Sequence, residues 1–129
     1  MAPWQINGTD RFADWYGALT ESEQDTVIAV VELLAEQGPQ LTRPHADRIT
    51  GSRYHNLKEL RPRGAAKNCR VLFIFDPRRE ALLLIGGNKA GQWTTWYRTA
   101  IAEAEQLYDE HLTEMGVLGT PDATDETGP

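Results

Sequence analysis

The residues of this chain whose types and spacing best suit chemistry are cations at the ends of expected strands. Lys58 and Arg61 lie on or just past one such strand, Arg70 opens the next, and Lys89 follows the last. In an antiparallel hairpin the start of one strand lies beside the end of its partner. Arg70 and the Gly86–Lys89 segment are therefore expected at one rim. A third strand converging there would place Arg61, Arg70 and Lys89 around one concavity, where Gly86 and Gly87 would let a ligand approach the backbone. Such cations, without an obvious histidine or carboxylate partner, suit phosphoryl transfer. They can hold a scissile phosphate and stabilise the charge that develops on its oxygens. With RNA as substrate, the ribose 2′-hydroxyl can serve as the nucleophile, and its requirement excludes DNA. Trp93, Trp96 and Tyr97 follow directly, and a ring there could stack a base for about 1–3 kcal/mol. Trp96 reads as core, while Trp93 and Tyr97 divide evenly between packing and function. Among the loop cations, Arg78 and Arg79 read as solvated charges and Arg63 as the exception.

Other chemistries lack their residues. The run Gly86-Gly87-Asn88-Lys89-Ala90-Gly91 is glycine-rich but misses the Gly-Lys-Ser/Thr of a phosphate-binding loop. His45, His55, His111 and Cys69 are scattered, so no metal or cofactor is expected. Ser22 and Ser52 are the only serines, and neither sits in a nucleophile elbow. The carboxylates of the middle stretch, Asp47, Glu59, Asp76 and Glu80, are too dispersed to read as a glycosidase pair. Cys69, the single cysteine, excludes an internal disulfide and reads as a small buried hydrophobe in a reducing compartment.

The formal net charge of −6 argues against a nucleic-acid ligand until its distribution is considered. Residues 41–98 hold twelve of the thirteen Lys and Arg against four carboxylates, while both flanks are acidic. A basic centre between acidic ends can attract a phosphate backbone locally. The N-terminus shows no cationic stretch followed by an apolar one, and the longest apolar run, Ala81 to Ile85, is too short for a membrane span. A cytoplasmic protein with no membrane contact is expected.

The elements that must position the cations can be read from periodicity. Trp4-Gln5-Ile6 reads as a short strand. Thr9 can cap a helix with Phe12, Trp15, Tyr16 and Leu19 on one face. Thr20-Glu21-Ser22-Glu23 is a capping box that starts a second helix, striped by Val27, Val30, Val31 and Leu34 and stopped by Gly38-Pro39. The two helices form an antiparallel hairpin that must lie on a sheet. Strands are expected at His55–Arg61, at Arg70–Phe75 and at Ala81–Ile85, the last two joined by the turn Asp76–Glu80. Leu57 and Leu60 point to opposite faces of a regular strand, so either both faces are covered or a bulge intervenes. A final helix begins near Thr94, striped by Tyr97, Ile101, Ala104, Tyr108 and His111. The order predicts an α+β fold: an N-terminal α-hairpin on a mainly antiparallel sheet of about four strands, with a C-terminal helix. Residues 1–115 form the domain, and 116–129 are expected to be a disordered acidic tail.

Four ordered pieces resemble a known family. They are Asn56-Leu57-Lys58-Glu59-Leu60-Arg61, then Arg70-Val71-Leu72-Phe73-Ile74-Phe75-Asp76-Pro77, then Leu83-Leu84-Ile85-Gly86-Gly87-Asn88-Lys89, then Trp96-Tyr97 with Ile101, Ala104 and Tyr108. Together they resemble the phage-derived Gp49-like, or HigB-like, toxins of the RelE/ParE superfamily, from Trp4 to Met115. The resemblance implies a RelE-like fold and a growth-inhibiting toxin of a type II toxin–antitoxin module. It implies a helix-turn-helix antitoxin from the same operon, bound in a toxin–antitoxin hetero-oligomer. The implied activity is a metal-independent endoribonuclease, an mRNA interferase that cuts translated mRNA in the ribosomal A site and so inhibits translation. By matching position, Arg70 and Lys89 correspond to phosphate-contacting residues, Arg61 to the basic residue ending the preceding strand, and Tyr97 to a tyrosine near the 2′-hydroxyl. Lys58, Arg63 and Trp93 are the expected RNA-binding residues. Relatives with a histidine at the site, or with several lysines on the second strand, differ from this chain, which leaves the general base open. A ParE-like inhibitor of DNA gyrase, or an inactive member that only binds its antitoxin, would share the fold. The retained Arg61, Arg70 and Lys89 favour the nuclease.

Overall fold

Two threonines set the N-terminal helices. The computed structural model describes residues 3–117. In it the Thr9 hydroxyl accepts from the Phe12 N–H and opens α1 (Asp10–Gly17). Thr20 and Glu23 form the expected capping box at the start of α2 (Glu21–Gln37), satisfying two otherwise unpaired amides reciprocally. Gly38 ends α2 with a φ of +59°, and a Cβ there would lie 2.3 Å from the Trp4 ring, so only glycine fits.

The sheet has five strands in the order β1-β5-β4-β3-β2: β1 (Ile6–Gly8), β2 (Ala46–Arg48), β3 (Lys58–Leu60), β4 (Cys69–Phe75) and β5 (Ala81–Asn88). β1 runs parallel to β5, and every other pair is antiparallel. The α+β class, with an N-terminal α-hairpin on a mainly antiparallel sheet, stands as expected, with corrections of detail. The first strand lies two residues later than Trp4–Ile6, and the one expected over His55–Arg61 contracts to three residues. β2 is an additional strand. Its Ala-Asp-Arg carries no apolar alternation, and it forms because the free edge of β3 offers it a ladder.

The continuous apolar run of β4 fills two cores at once. Val71 and Phe73 face the hairpin helices with Val27, Val30, Leu34, Leu60 and Leu83, while Leu72 and Ile74 face the other side with Leu57, Leu82 and Leu84. Each such side chain, fully buried, is worth about 1.5–3 kcal/mol. Leu57 and Leu60 thus point to opposite faces because both are covered, and the sheet irregularity falls in β4 between Leu72 and Phe73. The second cover is α3 (Trp93–Glu114), which buries Ala100, Ala104, Tyr108 and Leu112. It ends in a glycine cap: the Gly116 N–H donates to Thr113 O and the Val117 N–H to Leu112 O, with Gly116 at φ +81°. The first two residues of the expected tail therefore close the helix, and residues 118–129 lie outside the described part. Among the described residues no helix is long and apolar enough to cross a membrane.

Candidate active site

Strand alternation decides where the charges go. Glu59 shares its face with Leu57, two residues earlier, so it points beneath α3. The β2–β3 register sets Asp47 directly opposite it. Glu59 is only 2% exposed, and a carboxylate that deep must be paired and hydrogen-bonded. Its Oε1 accepts from the Tyr97 hydroxyl at 2.6 Å, and its Oε2 accepts from Arg61 Nε at 2.9 Å. Arg61 Nη2 reaches on to Asp47 Oδ2 at 3.2 Å, so one guanidinium bridges the two facing carboxylates. Arg70 stands behind them. Its Nη1 donates to Lys67 O and Cys69 O, and its buried Nε, 3.9 Å from Glu59 Oε1, has no hydrogen-bond partner among the described residues.

This group borders a cleft of about 320 Å³. Arg48, Ile49 and Thr50 form one wall, Trp93, Thr94, Tyr97 and Ile101 of α3 form the other, and Glu59 and Arg61 lie between. Trp93, 60% exposed, is set edge-on to Tyr97, whose other side meets Trp96. The loop that carries Ile49 and Thr50 is tied to α3 by polar contacts. Ser52 donates to Glu105, while Arg53 and the Tyr54 hydroxyl both donate to Asp109. The Arg53 guanidinium, with help from Tyr54, holds the Asp109 carboxyl below its ordinary range. Burial, and then the neighbouring Glu59 carboxylate, push the Tyr97 phenol up to about 12. Tyr97 is therefore a neutral hydrogen-bond donor at physiological pH, and Glu59 accepts its hydrogen bond.

The expected site residues separate on this geometry. Arg61 and Tyr97 meet at Glu59, with Trp93 at the cleft mouth. Arg70 is at the same cluster but one layer behind the cleft walls, with a side chain only 13% exposed. Lys89 reaches the expected rim, its N–H donating to Asn68 O beside Arg70, yet it is not part of the cleft wall. Lys58 shares the Leu60 face of β3 and so lies across the sheet from Glu59. Arg63 walls an apolar groove along α2. His55 is exposed, and its neighbour Asn56 donates to Phe75 O at the far end of β4.

Two sequence expectations need correction. Gly86 and Gly87 do not leave room for a ligand: a Cβ at Gly86 would lie 2.2 Å from Trp15, and one at Gly87 would lie 2.2 Å from Trp96. The glycines admit the protein's own indoles, one from each helical layer. Nor is the cation cluster free of carboxylates, since Glu59 is its centre. Glu59 and Asp47 looked dispersed because their pairing needs β2. The readable signal was the parity of Leu57 and Glu59, which puts a carboxylate under a covered face.

Comparison with known proteins bears on the same region. The family model "Phage derived protein Gp49-like" matches residues 14–109. Two relatives from Mycobacterium tuberculosis, both named as toxins, are HigB2 and HigB3. HigB2 is 42% identical over 107 residues, covering 82% of this chain and 53% of the relative. HigB3 is 46% identical over 98 residues, covering 76% of this chain and 84% of the relative. The chain thus spans about half the length of the first and most of the second. Among solved structures, free Escherichia coli RelE toxin carrying two substitutions superposes with a TM-score of 0.56 at 10% identity, covering 82% of this chain and 97% of that one. RelE from the archaeal RelE–RelB complex of Pyrococcus horikoshii gives 0.51 at 13% identity, covering 69% and 98%. At such identities these two likenesses speak for the fold.

Proposed function

The chain belongs to the Gp49-like family, and from that premise we propose that it is the toxin of a toxin–antitoxin pair and acts as an endoribonuclease on translated mRNA. The observation that carries the reading is the buried Glu59, held by Tyr97 and Arg61 at the edge of a cleft with an exposed tryptophan at its mouth. Glu59 takes the proton of the ribose 2′-hydroxyl. The 2′-oxygen attacks the adjacent phosphorus, the bond to the 5′-oxygen breaks, and that oxygen takes a proton from water, while Glu59 gives its proton to the hydroxide so formed. A 2′,3′-cyclic phosphate and a 5′-hydroxyl result. Arg61, with Arg70 behind it, offsets the charge that builds on the phosphoryl oxygens, and Lys89 adds positive potential at the rim. Trp93 stacks a flanking base.

The antitoxin is a helix-turn-helix protein of the same operon, bound in a hetero-oligomer that keeps the toxin silent. The ribosomal A site supplies the mRNA in a fixed pose. Net charge −6 attracts free RNA poorly at long range, and orienting the reactants can itself be worth several kcal/mol, roughly 7–11 in the best cases. Mapping transcript 5′ ends after induction in cells tests the activity. New 5′-hydroxyl ends inside translated frames are expected. An SOS response with trapped gyrase and no new ends would replace this reading by the gyrase-inhibitor one. Cleavage of one transcript with and without programmed ribosomes then tests the A-site step, and equal rates in the two would remove it.

A further inference from the structure

Across the sheet from Glu59, the β2–β3 edge carries an arrangement that stability alone does not favour. The register sets Arg48 directly opposite Lys58, and like charges facing each other across two strands are destabilising. Neither has a carboxylate within 4.0 Å among the described residues, and the Lys58 ammonium's one acceptor there is Pro39 O, at 3.4 Å. The pair lines a pocket of about 370 Å³ together with Arg43, over apolar Leu41 and Ala46. The single carboxylate in that lining, Asp47, is already divided between Arg43 on this side and Arg61 of the Glu59 cleft. Burial, and then the charge of Arg48, draw the Lys58 ammonium below its ordinary range. Arg48 also walls the Glu59 cleft, so the two depressions adjoin across the edge strand β2.

We propose that Arg48 and Lys58, with Arg43, form a second phosphate site, which holds a backbone phosphate of the RNA strand after it leaves the Glu59 cleft and crosses the β2 edge. The inference rests on the ribonuclease reading and adds to it the path of the substrate. The site touches only phosphate, so it contributes affinity and register and no base preference. Over the apolar floor each charge–phosphate contact is screened less than on open surface.

The test measures binding of a fluorescently labelled, uncleavable 2′-O-methyl RNA oligonucleotide by anisotropy across a salt series. Arg48→Gln/Lys58→Gln is compared with wild type and with Arg78→Gln/Arg79→Gln, which removes two exposed cations from the opposite end of the sheet. The edge variant is expected to bind about tenfold more weakly at low salt. Its slope of log affinity against log salt should shrink by about 0.7, the value for one phosphate contact to a single strand. The control pair should match wild type. Arg48→Gln alone, at an exposed position that cannot unfold the sheet, should shift affinity and slope in the same direction. Unchanged affinity and slope in the edge variants, or equal losses in the control, would overturn the site. So would a wild-type protein that does not bind the oligonucleotide. Wild-type binding with the edge-specific loss, but without cleavage of any transcript in cells, removes the nuclease reading and leaves the phosphate site standing.

Discussion

Two carboxylates lie buried beneath α3, and they are held in different ways. Asp76, 6% exposed, sits in the β4–β5 turn. Its Oδ1 accepts the Arg78 and Glu80 N–H groups, and its Oδ2 lies 2.9 Å from His111 Nε2. Glu59, 2% exposed, receives its hydrogen bonds from two side chains, Tyr97 and Arg61, and its cleft opens to solvent. A carboxylate bound by backbone amides is fixed by the turn it stabilises. One bound by side chains can exchange a partner for a substrate hydroxyl. The difference separates a structural acid from a candidate base more sharply than burial does, because burial is nearly the same for both.

The sharpest way to break the comparison is to neutralise Glu59. Glu59→Gln keeps the shape and the hydrogen bond from Tyr97 but cannot take a proton, so cleavage should fall about 100- to 10,000-fold. Single-turnover rates on one transcript measure it, and near-wild-type rates would remove Glu59 as the base. Arg70→Ala should cost about 100- to 1,000-fold, the usual weight of a preorganised electrostatic contact, while antitoxin binding persists. Full growth inhibition by an Arg70→Ala protein expressed at normal levels would show that its position behind the cleft wall puts it out of play.

Asp76 supplies the converse. Asp76→Ala strands two backbone amides in a buried turn, which should lower stability by about 1–3 kcal/mol and leave the cleavage rate of the folded fraction unchanged. Urea unfolding and rates normalised to folded protein report the two quantities. A loss of rate without loss of stability would make the turn part of the site.

How much of this was legible depended on the range of the interaction. The Thr9 cap, the Thr20–Glu23 box and the five-residue turn from Asp76 to Glu80 are local, and their residues announce them. Strand ends and helix start placed Arg61 and Arg70 near one rim, but not the expected concavity of Arg61, Arg70 and Lys89: Arg70 stands behind the cleft wall and Lys89 is not part of it. Glu59 was hidden because its importance lies in register: it needs Asp47 across a strand with no sequence pattern, and Tyr97 from 38 residues away. Gly86 and Gly87 misled for a related reason, since a glycine in a strand says that something comes close without saying what. Here it is Trp15 on one face and Trp96 on the other.

The smallest effect is expected at Tyr97, and its direction tests the division of roles between Tyr97 and Glu59. With its phenol pushed up to about 12, only about one molecule in 100,000 carries a tyrosinate at pH 7. Were Tyr97 the base, cleavage would climb tenfold per pH unit through the accessible alkaline range, and Tyr97→Phe would abolish it. As a neutral donor that orients Glu59, Tyr97 contributes one hydrogen bond to a charged group, about 1.5 kcal/mol. The Phe variant should therefore lose about tenfold in rate and keep the wild-type pH profile below pH 11. Stability gives an independent check. A phenol whose folded-state pKa is raised from 10 to about 12 stabilises the fold fully below pH 10, and that contribution is lost as pH rises through 12, because the unfolded chain releases the proton first. Tyr97→Phe should remove this part of the alkaline loss, so the stability difference from wild type should narrow between pH 10 and 12. A difference that stays constant across that interval would mean that the Tyr97 phenol titrates alike in both states and is not held by Glu59.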